Sequence, residues 1–393
     1  MLHERITIPK NVSTPSSEAA ALKVLHVAET VRGGIATYLN ELHPHQRMAF
    51  GRGNVHYVIP SDHRKDLSGI EDDEISTFKR QDRSVLGLFR MAVTTLQQIR
   101  RIQPDIVHIH STFAGLVLRP LLLLKRNRPR VVYCPHGWAF SRETSQLSHQ
   151  TTKLVERLLA NTCDQIICIS SDELREGLRA GIPIERLVMV NNGISPNRPP
   201  LDSTAAAWTT PKTKVLFIGR LDRQKGYDLL VDTARNLADV VDIRIIGSSV
   251  VGKQEKLDVP ANVSLLGWMN RGEIEAQLEK ADLVVIPSRW EAFGLVAVEA
   301  MRAAKPIVAF RIGALPEIVE DGVTGLLCGP VSPAELTATL RRAATLDLAA
   351  MGRRGRDRFR QMYDIEKTHR ALNRVYLGLD HHHHTETERQ MAV

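Results

Sequence analysis

The chain has 393 residues, too many for one ordinary domain, and its 43% hydrophobic and 24% charged residues are globular values that allow two cores. Its net charge of +8 sits almost wholly in the first half: residues 1–200 hold 26 Lys and Arg against 19 Asp and Glu, residues 201–393 hold 26 against 25. This composition excludes a disordered, collagen-like or disulfide-stapled chain, and no run reaches the ~20 apolar residues of a membrane-spanning helix.

The opening stretch, MLHERITIPKNVSTPSSEAAALK, has no charged-then-apolar leader. Residues 1–20 read as a disordered polar arm, and the chain is expected in the cytoplasm. From residue 21 strand-like and helix-like runs alternate. KVLHVAE, NVHYVIPS, DIVHIHS, RVVYCPHG, QIICISS and LVMVNNG predict strands, and VLGLFRMAVTTLQQIRRI, AGLVLRPLLLLKR and HQTTKLVERLLANT predict helices. Strict alternation argues a parallel sheet covered on both faces. This first unit, 21–195, runs into a Pro- and Ser/Thr/Ala-rich stretch, 196–212, that reads as a linker.

The rhythm resumes over 213–380 with KVLFIGR, DIRIIGS, NVSLLGW, DLVVIPS and PIVAFR, and helical sequence from SPAELTATLRR to THRALNRVYLGL closes the fold. Residues 381–393, with four consecutive histidines, read as a flexible tail and not a metal site. The expected class is α/β: two Rossmann-like, doubly wound parallel-sheet domains facing a cleft, with ligands beyond the carboxyl ends of the strands. Cys134, Cys163, Cys168 and Cys328 lie in or beside apolar runs and read as buried free thiols.

One basic concentration, LRPLLLLKRNRPR, places Arg119, Lys125, Arg126, Arg128 and Arg130 around an apolar run. It fits a surface segment lying on an anionic membrane and equally a buried helix with a solvated basic end. Nucleic acid is not expected, because no aromatic interleaving or motif supports it.

Two stretches carry chemistry. FIGRLDRQKGYDLL puts Arg220 and Lys225 between a strand and a helix, where a planar fork and a point charge suit a diphosphate, although surface ion pairs would use the same residues. PSRWEAFGLVAVEAM follows another strand, and its helix should begin near Phe293 or Gly294, offering the backbone N–H groups of Gly294 and Leu295 to a second phosphate contact. Glu291 then falls in the loop and Glu299 in the second helical turn, one for each end of an elongated ligand. The alternative for Glu299 is a pair with Arg302 or Lys305 along the helix.

GRLDRQKG, PSRWEAFGLVAVEAMRAAKPIVA and GALPEIVEDGVTGLLCGP together resemble the C-terminal domain of the retaining glycosyltransferases of family 4, which have the GT-B fold and many members in bacterial exopolysaccharide and lipopolysaccharide synthesis. The resemblance extends from KVLHVAETVRGGIATYL to about Leu379. It implies that Arg220, Lys225, Gly294 and Leu295 hold the donor diphosphate, Glu299 the ribose, and Glu291 the transferred sugar. It implies a cleft loop at Gly33 and Gly34, and a place for His136 of CPHGWAF beside the donor sugar and reacting centre.

His108 and His110 in DIVHIHS invite a metal, but alternation along a strand favours a structural role, and the family needs no metal. Where members often have Gly-Asp-Gly-Pro this chain has GSSVVG, residues 247–252, so the resemblance does not name the base. The activity implied is transfer of a hexose from a UDP- or GDP-sugar to a glycan or lipid-linked glycan, with retention, in the cytoplasm or peripherally at the inner membrane. A GT-B nucleotide-sugar epimerase and an inactive peripheral membrane scaffold are the alternatives.

Overall fold

The computed structural model describes residues 22–80, 84–141, 145–202, 207–248 and 258–379. The polar arm, the histidine tail and most of the GSSVVG loop lie outside the described residues. Seven parallel strands form the first sheet: β1 Val24–Ala28, β2 Val55–Pro60, β3 Ile75–Phe78, β4 Ile106–His110, β5 Arg130–Cys134, β6 Gln165–Cys168 and β7 Leu187–Met189, in the spatial order β3-β2-β1-β4-β5-β6-β7. Five helices accompany them: α1 Gly34–Phe50, α2 Val85–Ile102, α3 Thr112–Leu123, α4 Gln146–Leu159 and α5 Ser171–Arg179.

Successive strand residues take opposite faces, which sorts the core. Val24, Ile106 and Val132 pack with Leu39 and Leu42 of α1, whereas Leu25, Val107 and Val131 pack with Met91 and Ile99 of α2 and Leu118 and Leu122 of α3. Because the strand order reverses between β1 and β4, the sheet opens a crevice there at its carboxyl end.

The second sheet holds β8 Thr213–Ile218, β9 Val241–Ile246, β10 Val263–Gly267, β11 Leu283–Ile286, β12 Ile307–Phe310 and β13 Gly325–Cys328, ordered β10-β9-β8-β11-β12-β13 and again parallel. Its helices are α6 Tyr227–Arg235, α7 Arg271–Lys280, α8 Leu295–Arg302, α9 Leu315–Ile318, α10 Pro333–Ala343 and α11 Leu348–Met362. The four cysteines are buried and unbridged. Strands β3 and β13 and helices α1, α5, α7 and α9 carry no signal that the sequence pattern alone reveals. Strand β3 is a four-residue edge strand with two hydroxyl side chains, and α1 carries Pro44 inside it.

The last described helix, α12 Ile365–Tyr376, leaves the second sheet and packs against α1 of the first. Its return is pinned by Ile365 N–H donating to Ile194 O at 3.0 Å and Thr368 Oγ1 donating to Asn191 O at 2.8 Å. The closing helices therefore do not all belong to the C-terminal half: the chain crosses between the sheets twice, and the two crossings touch. Among the described residues no helix is long and apolar enough to cross a membrane.

Candidate active site

Two loops at the carboxyl end of the second sheet build one wall. The first joins β8 to α6 and carries Arg220 and Lys225; the second joins β11 to α8 and carries Glu291. They are tied together by Arg289 N–H donating to Gln224 O at 2.8 Å and by Arg289 clamping Asp228 through two contacts of 2.8 and 2.6 Å. That clamp holds the Asp228 carboxyl below its usual range against the opposing effect of burial. Arg220 is about half exposed and meets Asp222 at 3.2 Å. Lys225 and Glu291, 20% and 9% exposed, pair with each other at 2.5 Å, and Ser288 Oγ donates to the same carboxylate oxygen at 3.2 Å.

Both cations thus bond protein carboxylates in this structure. Both stand in the loop after β8, and Lys225, through Glu291, lies next to the residue that precedes α8. Gly294 is the residue before that helix and sits at φ 97°, a conformation costly for any other residue. The first N–H groups of a helix have no partner within it, so those of Leu295 and Val296 suit an anion, while Ala297 N–H already donates to Gly294 O at 2.9 Å.

Glu299 lies in the second turn of α8. The pairing along the helix that its spacing allows does not form. Arg302 bonds Glu275 at 3.1 Å and Ser195 O at 3.2 Å, and Lys305 donates to Glu279 O at 2.8 Å. Burial pushes the Glu299 carboxyl up to about 7, with Arg302 and Arg271 opposing the rise.

The first sheet supplies the facing wall. Gly33 and Gly34 open α1 opposite α8, with Leu295 Cδ1 3.7 Å from where a Cβ on Gly34 would stand. His136 follows β5 with φ 53°, a left-handed conformation that costs a non-glycine residue about 1–3 kcal/mol and is found disproportionately at functional sites. The strained turn is held by Glu173, which accepts from Gly137 N–H and from Ile169 N–H, both at 2.6 Å. Burial lifts Glu173 to about 7, and those two donors hold it back.

Behind His136 runs a buried file of rings. His136 Nε2 is 2.9 Å from His110 Nδ1, His110 Nε2 is 3.0 Å from His26 Nδ1, and His26 Nε2 is 2.8 Å from Gln46 Oε1. Burial lowers His136 and His26 to about 4 and His110 well below its ordinary value, so all are neutral near pH 7. With an amide oxygen at the far end, neutrality allows one proton order. His26 donates to Gln46, His110 to His26, and His136 to His110, which leaves His136 Nδ1 as an acceptor.

His108 bonds Tyr376 of α12 at 2.8 Å, and its Nε2 has no partner among the described residues. Nitrogens of His26, His108 and His110 lie within 4.8 Å of one another, close enough for a metal, yet the His26–His110 contact is already a hydrogen bond.

The two walls meet through contacts that sequence reasoning missed. Glu317, just after α9 begins, accepts from Ser171 N–H at 2.8 Å and Asp172 N–H at 2.6 Å, capping α5 of the other sheet. Ser170 Oγ donates to Ala292 O at 3.1 Å. No local pattern marks Glu317 or Glu173; both act over more than 30 residues or within a turn whose shape only the fold sets.

Comparison with known proteins places this geometry. Residues 202–358 match the model of "Glycosyl transferases group 1", and residues 32–198 match "Glycosyltransferase Family 4". A Klebsiella pneumoniae protein described as an uncharacterized 41.2 kDa protein in the cps region is 34% identical over 316 residues, 78% of this chain and 86% of its own length. Glycogen synthase of Mycobacterium tuberculosis is 30% identical over 293 residues, 70% of this chain and 69% of its own. The crystal structure of Anabaena HepE in complex with UDP-glucose superposes with a TM-score of 0.73 at 21% identity, over 91% of this chain and all of that one. Two parallel-sheet domains facing each other in this way are the GT-B fold.

Proposed function

The chain belongs to the group 1 glycosyl transferases, with a family 4 N-terminal half, and from that membership we propose that it moves a hexose from a UDP- or GDP-sugar to a hydroxyl of a glycan or lipid-linked glycan, with retention of anomeric configuration. The observation that supports the reading is the contact of Lys225 with Glu291 just before α8, with Arg220 on the same loop as Lys225 and the His136–Gly137 turn against Ala292 of the Glu291 loop. A UDP-glucose complex of a neighbour with the same fold supports a nucleotide-sugar donor.

The barrier in such a transfer is breaking the bond from the sugar C1 to the diphosphate. Negative charge grows on the leaving oxygens, and Arg220, Lys225 and the α8 N–H groups meet it with fixed positive ends. Those groups supply the charge that a metal supplies elsewhere, so none is required by this reading. Glu291 accepts from hydroxyls of the transferred sugar and Glu299 from those of the ribose. His136 Nδ1, held as an acceptor, takes a further sugar hydroxyl. The leaving phosphate itself takes the proton of the attacking hydroxyl, and the chain provides no separate base.

The basic N-terminal half and the cps-region relative favour an acceptor in bacterial surface polysaccharide assembly, carried on a lipid diphosphate at the cytoplasmic face of the membrane. The deciding experiment incubates the protein with UDP-, GDP- and ADP-sugars plus lipid extract and follows the released nucleoside diphosphate. Acceptor-dependent release from one class of donor is expected. Conversion of donor to an isomeric sugar without release would make it an epimerase, and inertness toward every donor would leave only a scaffold.

A further inference from the structure

Three adjacent helices on one face of the first sheet carry a surface unlike the rest of the molecule. Among the described residues, eleven of the twenty exposed large hydrophobic side chains fall between Val85 and Leu158. On α2 they recur at Val85, Phe89 and Val93, one every four residues, so they form a single outward stripe. On α4 the same spacing logic puts Leu147, Leu154 and Leu158 on one outer face, and Leu116 and Leu124 stand on or beside α3 between them. Helices α2 and α3 cover one face of the sheet and α4 packs beside α3, whereas α1, with α12 against it, covers the other face. Nothing in the described chain lies over them.

Charge names the occupant. From Ser84 to Asn161 the sequence has eleven Lys and Arg against three Asp and Glu. One of those three, Glu156, is spent inside the protein on Arg119, which is itself fully buried. The segment 119–130 is therefore less available than its sequence suggests, since Arg128 is also clamped to Asp164 at 2.6 Å. The cations left on the face are Arg90, Lys125, Arg126, Lys153 and Arg157, set among the leucines. A cavity of about 310 Å³ at the start of α2 shows the pattern at small scale: Phe89 and Val93 line it together with Lys79 and Arg90.

A second copy docked face to face would set these cations against their own duplicates, which like-charge repulsion opposes. Aliphatic side chains beside unopposed cations match acyl chains beneath anionic headgroups. We infer that the α2–α3–α4 face docks on an anionic phospholipid bilayer.

Orientation gives this docking a purpose. In a parallel α/β sheet each helix begins where the preceding strand ends, so Val85, Phe89, Leu116 and Leu147 stand near the cleft end of their helices. The docked protein would present the Gly33–Gly34 and His136 wall toward the bilayer edge, where a lipid-linked acceptor is found. The inference extends the proposed transfer, but it rests on the surface alone and stands or falls separately.

The test is sedimentation of the full chain with vesicles of phosphatidylglycerol and phosphatidylethanolamine, and with phosphatidylcholine vesicles, at low and high salt. Binding to the anionic vesicles, weakened by salt, is expected. Phe89→Asp with Leu147→Asp, and separately Lys125→Glu with Arg126→Glu, should each reduce it about tenfold. Both pairs should keep the wild-type melting temperature and wild-type donor hydrolysis in water, because none of the four residues lines the site. Equal sedimentation of wild type and variants, or no binding to either vesicle, overturns the inference. So does a dimer in sedimentation velocity that the Phe89→Asp and Leu147→Asp variant abolishes. Vesicle binding without any donor turnover would instead count against the transfer reaction and leave the docking face intact.

Discussion

Lys225 Nζ lies 2.5 Å from Glu291 Oε2, so two residues that the sequence assigns to different parts of a ligand are partners across two loops. On the proposed reading, a diphosphate drawn to Lys225 would compete with that carboxylate and free it for the sugar, so that binding one half of the donor would prepare the contact for the other.

Lys225→Ala should lower kcat/KM for the donor about ten- to hundredfold, the value of a charge-assisted contact. Glu291→Gln should lower kcat by a similar factor while leaving donor KM close to wild type, since it removes the competitor of the diphosphate as well as a sugar contact. Nucleoside diphosphate release measures both, and wild-type turnover in the two variants would sink the assignment.

Glu299 gives a pH signature. Its carboxyl is raised to about 7 by burial, and in the proposed role ribose hydroxyls would donate to the ionised form. Donor KM should therefore fall as pH rises through about 7, and Glu299→Gln should show a weak, flat KM across the same range. A wild-type KM independent of pH around neutrality would contradict the role.

The ring file behind His136 predicts an effect at a distance. His110→Phe keeps a ring of similar size but removes the acceptor that fixes His136. We expect kcat to drop about tenfold with little change in donor KM. His136→Ala should cost more, and an active His110→Phe enzyme with an unaltered kcat would assign the file to packing alone.

Stability should fall on mild acidification. Burial holds His26 and His136 neutral down to about 4 and lowers His108 and His110 well below the ordinary value, whereas unfolded imidazoles titrate near 6.5. Below about 6.5 the unfolded chain takes up protons that the fold refuses, so this contribution is complete above that value and drains away toward pH 4. Glu299 and Glu173, raised to about 7, act with the opposite sign: their contribution is full below about 4.5 and is lost as pH rises through 7. Four histidines outweigh two acids, so the urea midpoint should be lower at pH 5 than at pH 7. A midpoint higher at pH 5 would contradict the buried neutral cluster.

Gly313 tests the loop architecture. A Cβ there would stand 1.9 Å from Glu291 O, and φ is 50°. Gly313→Ala must displace the Glu291 loop, so donor turnover should be lost along with about 3 kcal/mol or more of stability in urea unfolding.

The parts of this protein legible in its sequence are those with a local signature. Apolar runs at regular spacing mark eleven of the thirteen strands, most of them buried on both faces, as parallel strands covered by helices are. The candidate site was legible as far as its residues share local order: Arg220 and Lys225 stand in the loop after β8, Glu291 and Gly294 in the loop after β11, and Glu299 in the second turn of the helix that follows. What the sequence concealed is long-range. That Lys225 would choose Glu291, that Arg302 would turn to Glu275 and leave Glu299 alone, and that Glu317 would cap a helix of the other sheet depend on contacts between distant elements. The histidine at 26 looked like any strand residue until β1 and β4 were laid side by side, His26 against His108 and Ala28 against His110.

The return of α12 to the first sheet affects how the molecule is made. Tyr376 bonds both His108 and Gln46, and Gln46 also ends the ring file behind His136. A chain that emerges from the ribosome N-terminus first can assemble seven strands early, but it must wait for some two hundred further residues before the core beneath α1 is sealed. A nascent or truncated chain ending before Ile365 would leave polar rings exposed in an unfinished interior. Helix α12 thus ties completion of the first unit's core to synthesis of the second unit.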